Sequence, residues 1–377
     1  MSITLSDARI VTPDGVHHGW LTIEDGRITH VGRGPAPGNG RGLEGRIVVP
    51  GFVDIHVHGG GGAGYPAGSE EHARRTIAFH REHGTTTALA SLVTAPLDHL
   101  KAAAGTLASL CAEGLLAGIH FEGPYISAAR CGAHRPSLLR TPSAAEFAEL
   151  IKAADGHARM FTLAPELPGA LDAIRECVTS DVIAAIGHTD ATFEDSMAAI
   201  DAGCTVATHL FNAMRPLNHR DPGPITATML DDRVTVELVN DGVHLDPAVI
   251  DLVLRAVPAT RVAFITDAMD AAGMPDGDFD LGSMKVEVRS GVARLAGGGA
   301  IAGSTLTMDA AFRRGVRTNG LTLPEAAQVT ALTPANALGL AHEIGSITTG
   351  KYADLVILDD DLAIKGVMKR GSWITNP

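Results

Sequence analysis

Apolar residues fall along this chain in two rhythms. Up to about residue 50 they alternate with polar ones in SITLSDARIVTPDG, GWLTIEDGRITHVG and GRIVVPG, punctuated by Asp-Gly and Gly. Strict alternation buries one face of a strand, and these dipeptides turn the chain between strands. The segment YADLVILDDDLAIKGVMKRG near the C-terminus returns to the same style. Two β-rich ends around a long middle predict one small β-sandwich domain built from residues 1–50 and 342–377.

Between them, short apolar runs alternate with helical stretches such as SEEHARRTIAFHREHG and TPSAAEFAELIKAADG. The runs number eight: Phe52–His58, Thr86–Leu92, Leu115–Glu122, Arg159–Ala164, Val182–His188, Thr205–His209, Val234–Asn240 and Val262–Asp267. Strands alternating with helices make a parallel sheet, and eight such units close a (β/α)8 barrel of the TIM type over residues 51–341. The site of such a barrel lies at the C-terminal ends of its strands. Residues 278–300 read as an inserted hairpin after the eighth strand, and 123–140 as a long loop after the third, the kind that is functional or mobile. No internal repeat is visible. The glycine loop GGGGAG at 59–64 lacks the lysine of a phosphate loop.

Composition narrows the function. With 45% apolar residues in a chain of 377, a large core can form, and only 4% are aromatic. A net charge of −13 disfavours a nucleic-acid partner, because nothing would neutralise phosphates along a strand. A small anionic substrate stays open, since one local arginine outweighs the global field. No run of 18 apolar residues predicts a membrane span. The start has neither a basic nor an apolar signal region. Cys111, Cys131, Cys177 and Cys204 form no CxxC pair, so reduced thiols in a cytoplasmic protein are expected.

The chemistry gathers at the predicted strand ends. In Asp54-Ile55-His56-Val57-His58 two histidines two apart share one face of a strand, as two ligands of one metal need. Alone, such a pair is more often packing. Four more candidates make chance a poor explanation: Glu122 in His120-Phe121-Glu122-Gly123-Pro124, His188 in GHTDAT, His209 in THLFNAM and Asp267 in TDAM. A buried carboxylate such as Glu122 needs a partner, which a metal supplies and an arginine could. His120 sits one layer deeper and reads as a core or supporting histidine. Imidazole with carboxylate suits zinc, iron, manganese or cadmium, and the lack of cysteine argues against a closed structural zinc site.

These motifs, with HVHG, HFEGP and DGVH, closely resemble the amidohydrolase superfamily and, within it, the N-acetylglucosamine-6-phosphate deacetylase family, over nearly the whole chain. The resemblance implies a principal divalent metal on Glu122, His188 and His209, and a second on His56 and His58 with Glu122 near both. Many relatives elsewhere bridge their metals with a carboxylated lysine; no lysine lies near the end of strand four here. The implied reaction attacks the acetyl carbonyl with metal-activated hydroxide, with Asp267 as general base and then acid. His134 would stabilise the oxyanion. For the substrate, a small phosphorylated amino sugar, the resemblance assigns Ala133, backbone amides of Asn212 and Ala213, Arg220 reaching in from the neighbouring subunit of a homodimer, His244, and the turn Ile301, Ala302 and Gly303. Spacing alone would leave His134 a loop histidine and Arg220 a surface charge. Cys131, between Arg130 and Arg135, stands outside this chemistry. The alternatives are an amidohydrolase acting on a cyclic amide or N-acyl-amino acid, and a barrel that has lost catalysis and serves as a scaffold.

Overall fold

The computed structural model describes residues 2–377. Eight strands form one parallel sheet: Phe52–Asp54, Thr85–Val93, Gly118–Glu122, Ala158–Leu163, Ile183–Ile186, Cys204–Ala207, Thr235–Val239 and Val262–Ile265, neighbours in chain order. Each falls within or beside one of the eight apolar runs. Parallel strands in a barrel are covered on both faces, which is why their sequences are nearly continuous in Val, Ile, Leu and Ala. Beyond the last strand the chain meets the start again: Asp267 N–H donates to His56 O (2.9 Å), and His58 and Gly59 N–H donate to Ala268 O (2.8 and 2.9 Å). Helices between the strands begin where the sequence offers caps. Thr192 and Asp195 form a reciprocal capping box at Phe193–Ala202, and Asp246 caps Pro247–Ala256.

The chain divides into two compact units. One comprises the chain up to Asp54, Ala78–Thr87 and Thr307–Pro377; the other comprises Ile55–Ile77 and Ala88–Leu306. In the first, both ends of the chain join one eight-stranded sheet. Ile47–Pro50 is the hinge of that pairing, parallel to Ser2–Thr12 and antiparallel to Leu355–Leu358. Alternation sorts its side chains between two cores. Val48, Leu355 and Ile357 pack with Leu5, Ile10 and Leu21, while Val49, Val356 and Leu358 pack with Phe52, Met308 and Phe312.

In the second unit the stretch expected as a hairpin is a three-stranded antiparallel sheet, Gly277–Leu281, Met284–Arg289 and Val292–Leu295. Its Leu281, Val286, Val288 and Ala293 bury against Val93, Met269 and Ala302.

Candidate active site

His188, His209 and Asp267 each stand two residues beyond the last residue of a barrel strand, after Ile186, Ala207 and Ile265. All three have positive φ, +47°, +27° and +49°. A side chain rarely adopts that left-handed region without surrounding structure to enforce it, and such strain clusters at functional positions. Here it turns the chain sharply off the strand. The first strand ends at Asp54, so His56 and His58 lie past it rather than within it. They still converge, Nε2 to Nε2 at 3.1 Å.

Glu122 is the centre of the cluster. Its Oε1 is 3.0 Å from His188 Nε2 and 2.9 Å from His209 Nε2. Its Oε2 is 3.2 Å from His58 Nε2, and Oε1 is 3.6 Å from His56 Nε2. Asp267 Oδ1 closes the ring, 3.2 Å from His58 Nε2 and 3.6 Å from His56 Nε2. All six side chains are buried.

The outer ring nitrogens settle what the inner ones can do. His56 Nδ1 meets Glu237 Oε2 (3.1 Å), His58 Nδ1 meets Ser91 O (3.1 Å), and His188 Nδ1 meets Arg130 O (3.0 Å). Each partner only accepts, so each Nδ1 carries the proton, and in the neutral ring the Nε2 presents a lone pair. Lone pairs then face each other at 3.1 Å between His56 and His58. Such an arrangement is repulsive unless a cation lies between the nitrogens, and the donor set of imidazoles around a carboxylate fits a divalent metal. The electrostatics agree. Burial alone would lower the His56 and His58 imidazoles, but nearby carboxylates reverse this. Glu122 and Glu237 hold His56 well above its ordinary value, and Asp267 and Glu122 bring His58 up to about 9. Burial opposes ionisation of Glu122 and Asp267, yet the surrounding imidazoles hold both below the usual carboxylate range. The pocket draws positive charge to its centre.

His134 comes from the loop after the third strand. Its Nδ1 accepts from Thr94 N–H (3.3 Å) and lies 2.8 Å from Thr94 Oγ1. Because that Nδ1 accepts, Nε2 carries the hydrogen and points toward Glu122 Oε2 at 3.5 Å. Burial, then His188, pushes its imidazole down to about 4. His134 thus turns an N–H rather than a lone pair toward Glu122, although its ring lies within ligand range of Glu122 and His188. Gly132, at φ +56°, lets the loop pass close to His188: a Cβ there would stand 3.1 Å from its Cε1.

His120 is a supporting residue. It bonds Ser91 Oγ (2.9 Å) and Thr162 Oγ1 (2.8 Å) beneath the cluster, and burial keeps it neutral.

Above this floor lies a cavity of about 470 Å3, lined among others by His134, Asn212, Ala213, His244, Ile301 and Gly303. Ala133 also lines it, whereas Ala302 turns away into the apolar core under the three-stranded sheet. Arg220 is exposed and not on this wall. Asn212 N–H is engaged in its own turn with His209 O (3.0 Å).

Four further residues support the site without standing out at a strand end: Glu237, Ser91, Thr94 and Asp241. Asp241 accepts from His244 Nδ1 (2.7 Å) and from the N–H of Val243 and His244, holding His244 with Nε2 3.6 Å from Asp267 Oδ2. Glu237 had a signal: an acidic residue at an interior position of the apolar run TVELV. Ser91 and Thr94 had none, since Ser91 meets His58 through its backbone carbonyl, Thr94 meets His134 partly through its backbone N–H, and their hydroxyls mark no partner in the sequence.

Comparison with known proteins places this geometry among relatives. The Amidohydrolase family model matches residues 47–374. N-acetylgalactosamine-6-phosphate deacetylase of Escherichia coli O157:H7 is 36% identical over 98% of this chain and 99% of its own. N-acetylglucosamine-6-phosphate deacetylase of Vibrio furnissii is 35% identical over 87% of this chain and 82% of its own. Among solved structures, the D267A mutant of N-acetyl-D-glucosamine-6-phosphate deacetylase from Mycobacterium smegmatis, in complex with N-acetyl-D-glucosamine-6-phosphate, superposes with a TM-score of 0.97. It is 45% identical and covers 100% of both chains.

Proposed function

The chain belongs to the amidohydrolase family, among its deacetylases of N-acetylated amino-sugar phosphates, and on that premise we propose that it hydrolyses N-acetylglucosamine 6-phosphate to glucosamine 6-phosphate and acetate. The observation that carries this reading is the convergence of four histidine Nε2 atoms, Glu122 and Asp267 on the floor of a cavity of about 470 Å3. Glu122, His188 and His209 would hold one divalent ion, zinc by preference, and His56 and His58 a second, with Glu122 between them. When bound, such an ion acidifies a water and polarises an acyl carbonyl.

The chain's own groups do the rest. Asp267 Oδ2 takes a proton from the attacking water and returns it to the amine nitrogen as the C–N bond breaks. His134 donates Nε2–H to the carbonyl oxygen as negative charge grows there. Its neutral state at ordinary pH keeps that donor without bringing a second charge beside Glu122. His244, fixed by Asp241, orients the sugar. The phosphate falls to the Asn212–Ala213 turn, where Ala213 N–H is the backbone donor, and to Arg220 of a neighbouring copy. That copy makes the enzyme a homodimer, in keeping with an Arg220 that is exposed and off the wall of its own cavity. The four unpaired cysteines support a cytoplasmic setting.

Acetate release from metal-loaded enzyme tests the reading. Turnover of N-acetylglucosamine 6-phosphate should far exceed that of unphosphorylated N-acetylglucosamine. Equal rates on the two would refute it. A second reading, N-acetylgalactosamine 6-phosphate, is favoured by the name of the Escherichia coli relative. The ratio of kcat/KM on the two sugar phosphates decides between them.

A further inference from the structure

We propose that Glu237 is a positioning residue whose single carboxylate oxygen ties the two halves of the metal site together. This rests on the metal-dependent reading above.

Glu237 is the one charged residue in the seventh barrel strand, Thr235–Val239, and it is fully buried. Its Oε2 accepts from His56 Nδ1 (3.1 Å) and from the backbone N–H of His209 (3.1 Å). Its backbone carbonyl accepts from Leu210 N–H (2.8 Å). One side chain thus holds a ligand that follows the first strand and a ligand that follows the sixth. The two ligands belong to different halves: His56 faces His58, while His209 faces His188 at 3.0 Å.

Oε1 of Glu237 has no hydrogen-bond partner among the described residues. A buried carboxylate so sparsely bonded is costly unless positive charge lies close by. The nearest route to such charge runs through the His56 ring, from Nδ1 to the Nε2 that faces the site. Negative charge behind an imidazole fixes its tautomer and makes Nε2 a stronger ligand. The His209 contact acts differently. It fixes backbone at a residue with positive φ, and needs only an acceptor oxygen.

The two contacts predict different responses to two substitutions. Glu237→Gln keeps an acceptor and removes the charge, so only the His56/His58 half should suffer. Glu237→Ala removes both contacts, so both halves should. The experiment strips the whole enzyme with a chelator and titrates it with Zn2+ alone by calorimetry, with bound metal counted by elemental analysis. Circular dichroism of each variant verifies folding. For Glu237→Gln we expect one of two binding events to weaken by about 10–100-fold, the other staying as in the wild type. In a His56→Ala background, Glu237→Gln should cause no further loss at that half.

Unchanged Zn2+ binding in folded Glu237→Gln would overturn the proposal. So would full additivity with His56→Ala, which marks a merely structural role. If Glu237→Ala does not fold, Glu237→Gln and the double variant still decide. The readout is binding, so it stands apart from the deacetylase reading, which fails on its own if metal-loaded wild type releases no acetate.

Discussion

The floor and the rim of the cavity obey different constraints. The floor is made of residues at strand ends, with three backbones held at positive φ and every outer ring nitrogen but that of His209 tied to a named acceptor or donor. The rim is made of loops: the His134 segment, the turn after His209, and the exit from the three-stranded sheet. A barrel fixes strand ends to within hydrogen-bond tolerance, whereas a loop is held by few contacts. On the proposed reading, charge-sensitive chemistry sits on the floor, and selection of substrate on the rim.

That contrast breaks most sharply at the proposed metal ligands. His209→Ala should bring bound metal at the Glu122/His188 half to background and abolish turnover. Elemental analysis of dialysed protein beside an acetate assay checks both, and retention of full activity without metal would erase the distinction between floor and rim.

Asp267→Asn should keep metal content and KM but cut kcat by about 10²–10⁴-fold. A variant that instead loses metal would make Asp267 chiefly a ligand.

His134 belongs to both regions, since it is buried like the floor but carried by a loop. His134→Ala should lower kcat by about 10²–10³-fold, the usual cost of one oxyanion donor, with metal binding intact. Lost metal would move it wholly to the floor.

At the rim, Arg220→Ala should raise KM for the phosphorylated substrate by about 10–100-fold, the loss of a charged hydrogen bond of roughly 1.5–3 kcal/mol, with kcat little changed. The unphosphorylated sugar should not notice the change, and an equal effect on both sugars would contradict it.

The smallest effect concerns pH. Burial and His188 bring His134 down to about 4. A depressed imidazole is neutral above that value, so it keeps its Nε2–H across the range in which ordinary histidines gain protons as pH falls. His134→Asn should leave the acid limb of the kcat–pH profile in place. A displaced limb would assign that limb to His134.

The barrel was legible because parallel strands must be apolar on both faces, and its eight runs stand out against polar helices. The six floor residues were legible because a strand end is marked in sequence: the run stops, and a histidine or carboxylate follows. Glu237 could have been found as an acid inside an apolar run. Thr94 and Ser91 could not, because each gives a backbone group that every residue type carries, and the hydroxyls by which they also meet His134 and His120 mark no particular partner in the sequence. Ala302 shows the same limit on the rim. It lies between two cavity-lining residues, but neighbours along a bent segment point in different directions, so it packs into the core instead.

What the sequence determined by itself was the set of elements and the chemical types at their ends, because periodicity and side-chain identity are local properties. Only the tertiary structure decided which nitrogen of each histidine faces inward. That choice depends on an acceptor tens or hundreds of residues away, and hydrogen bonds of about 3 Å exist only once the barrel has closed.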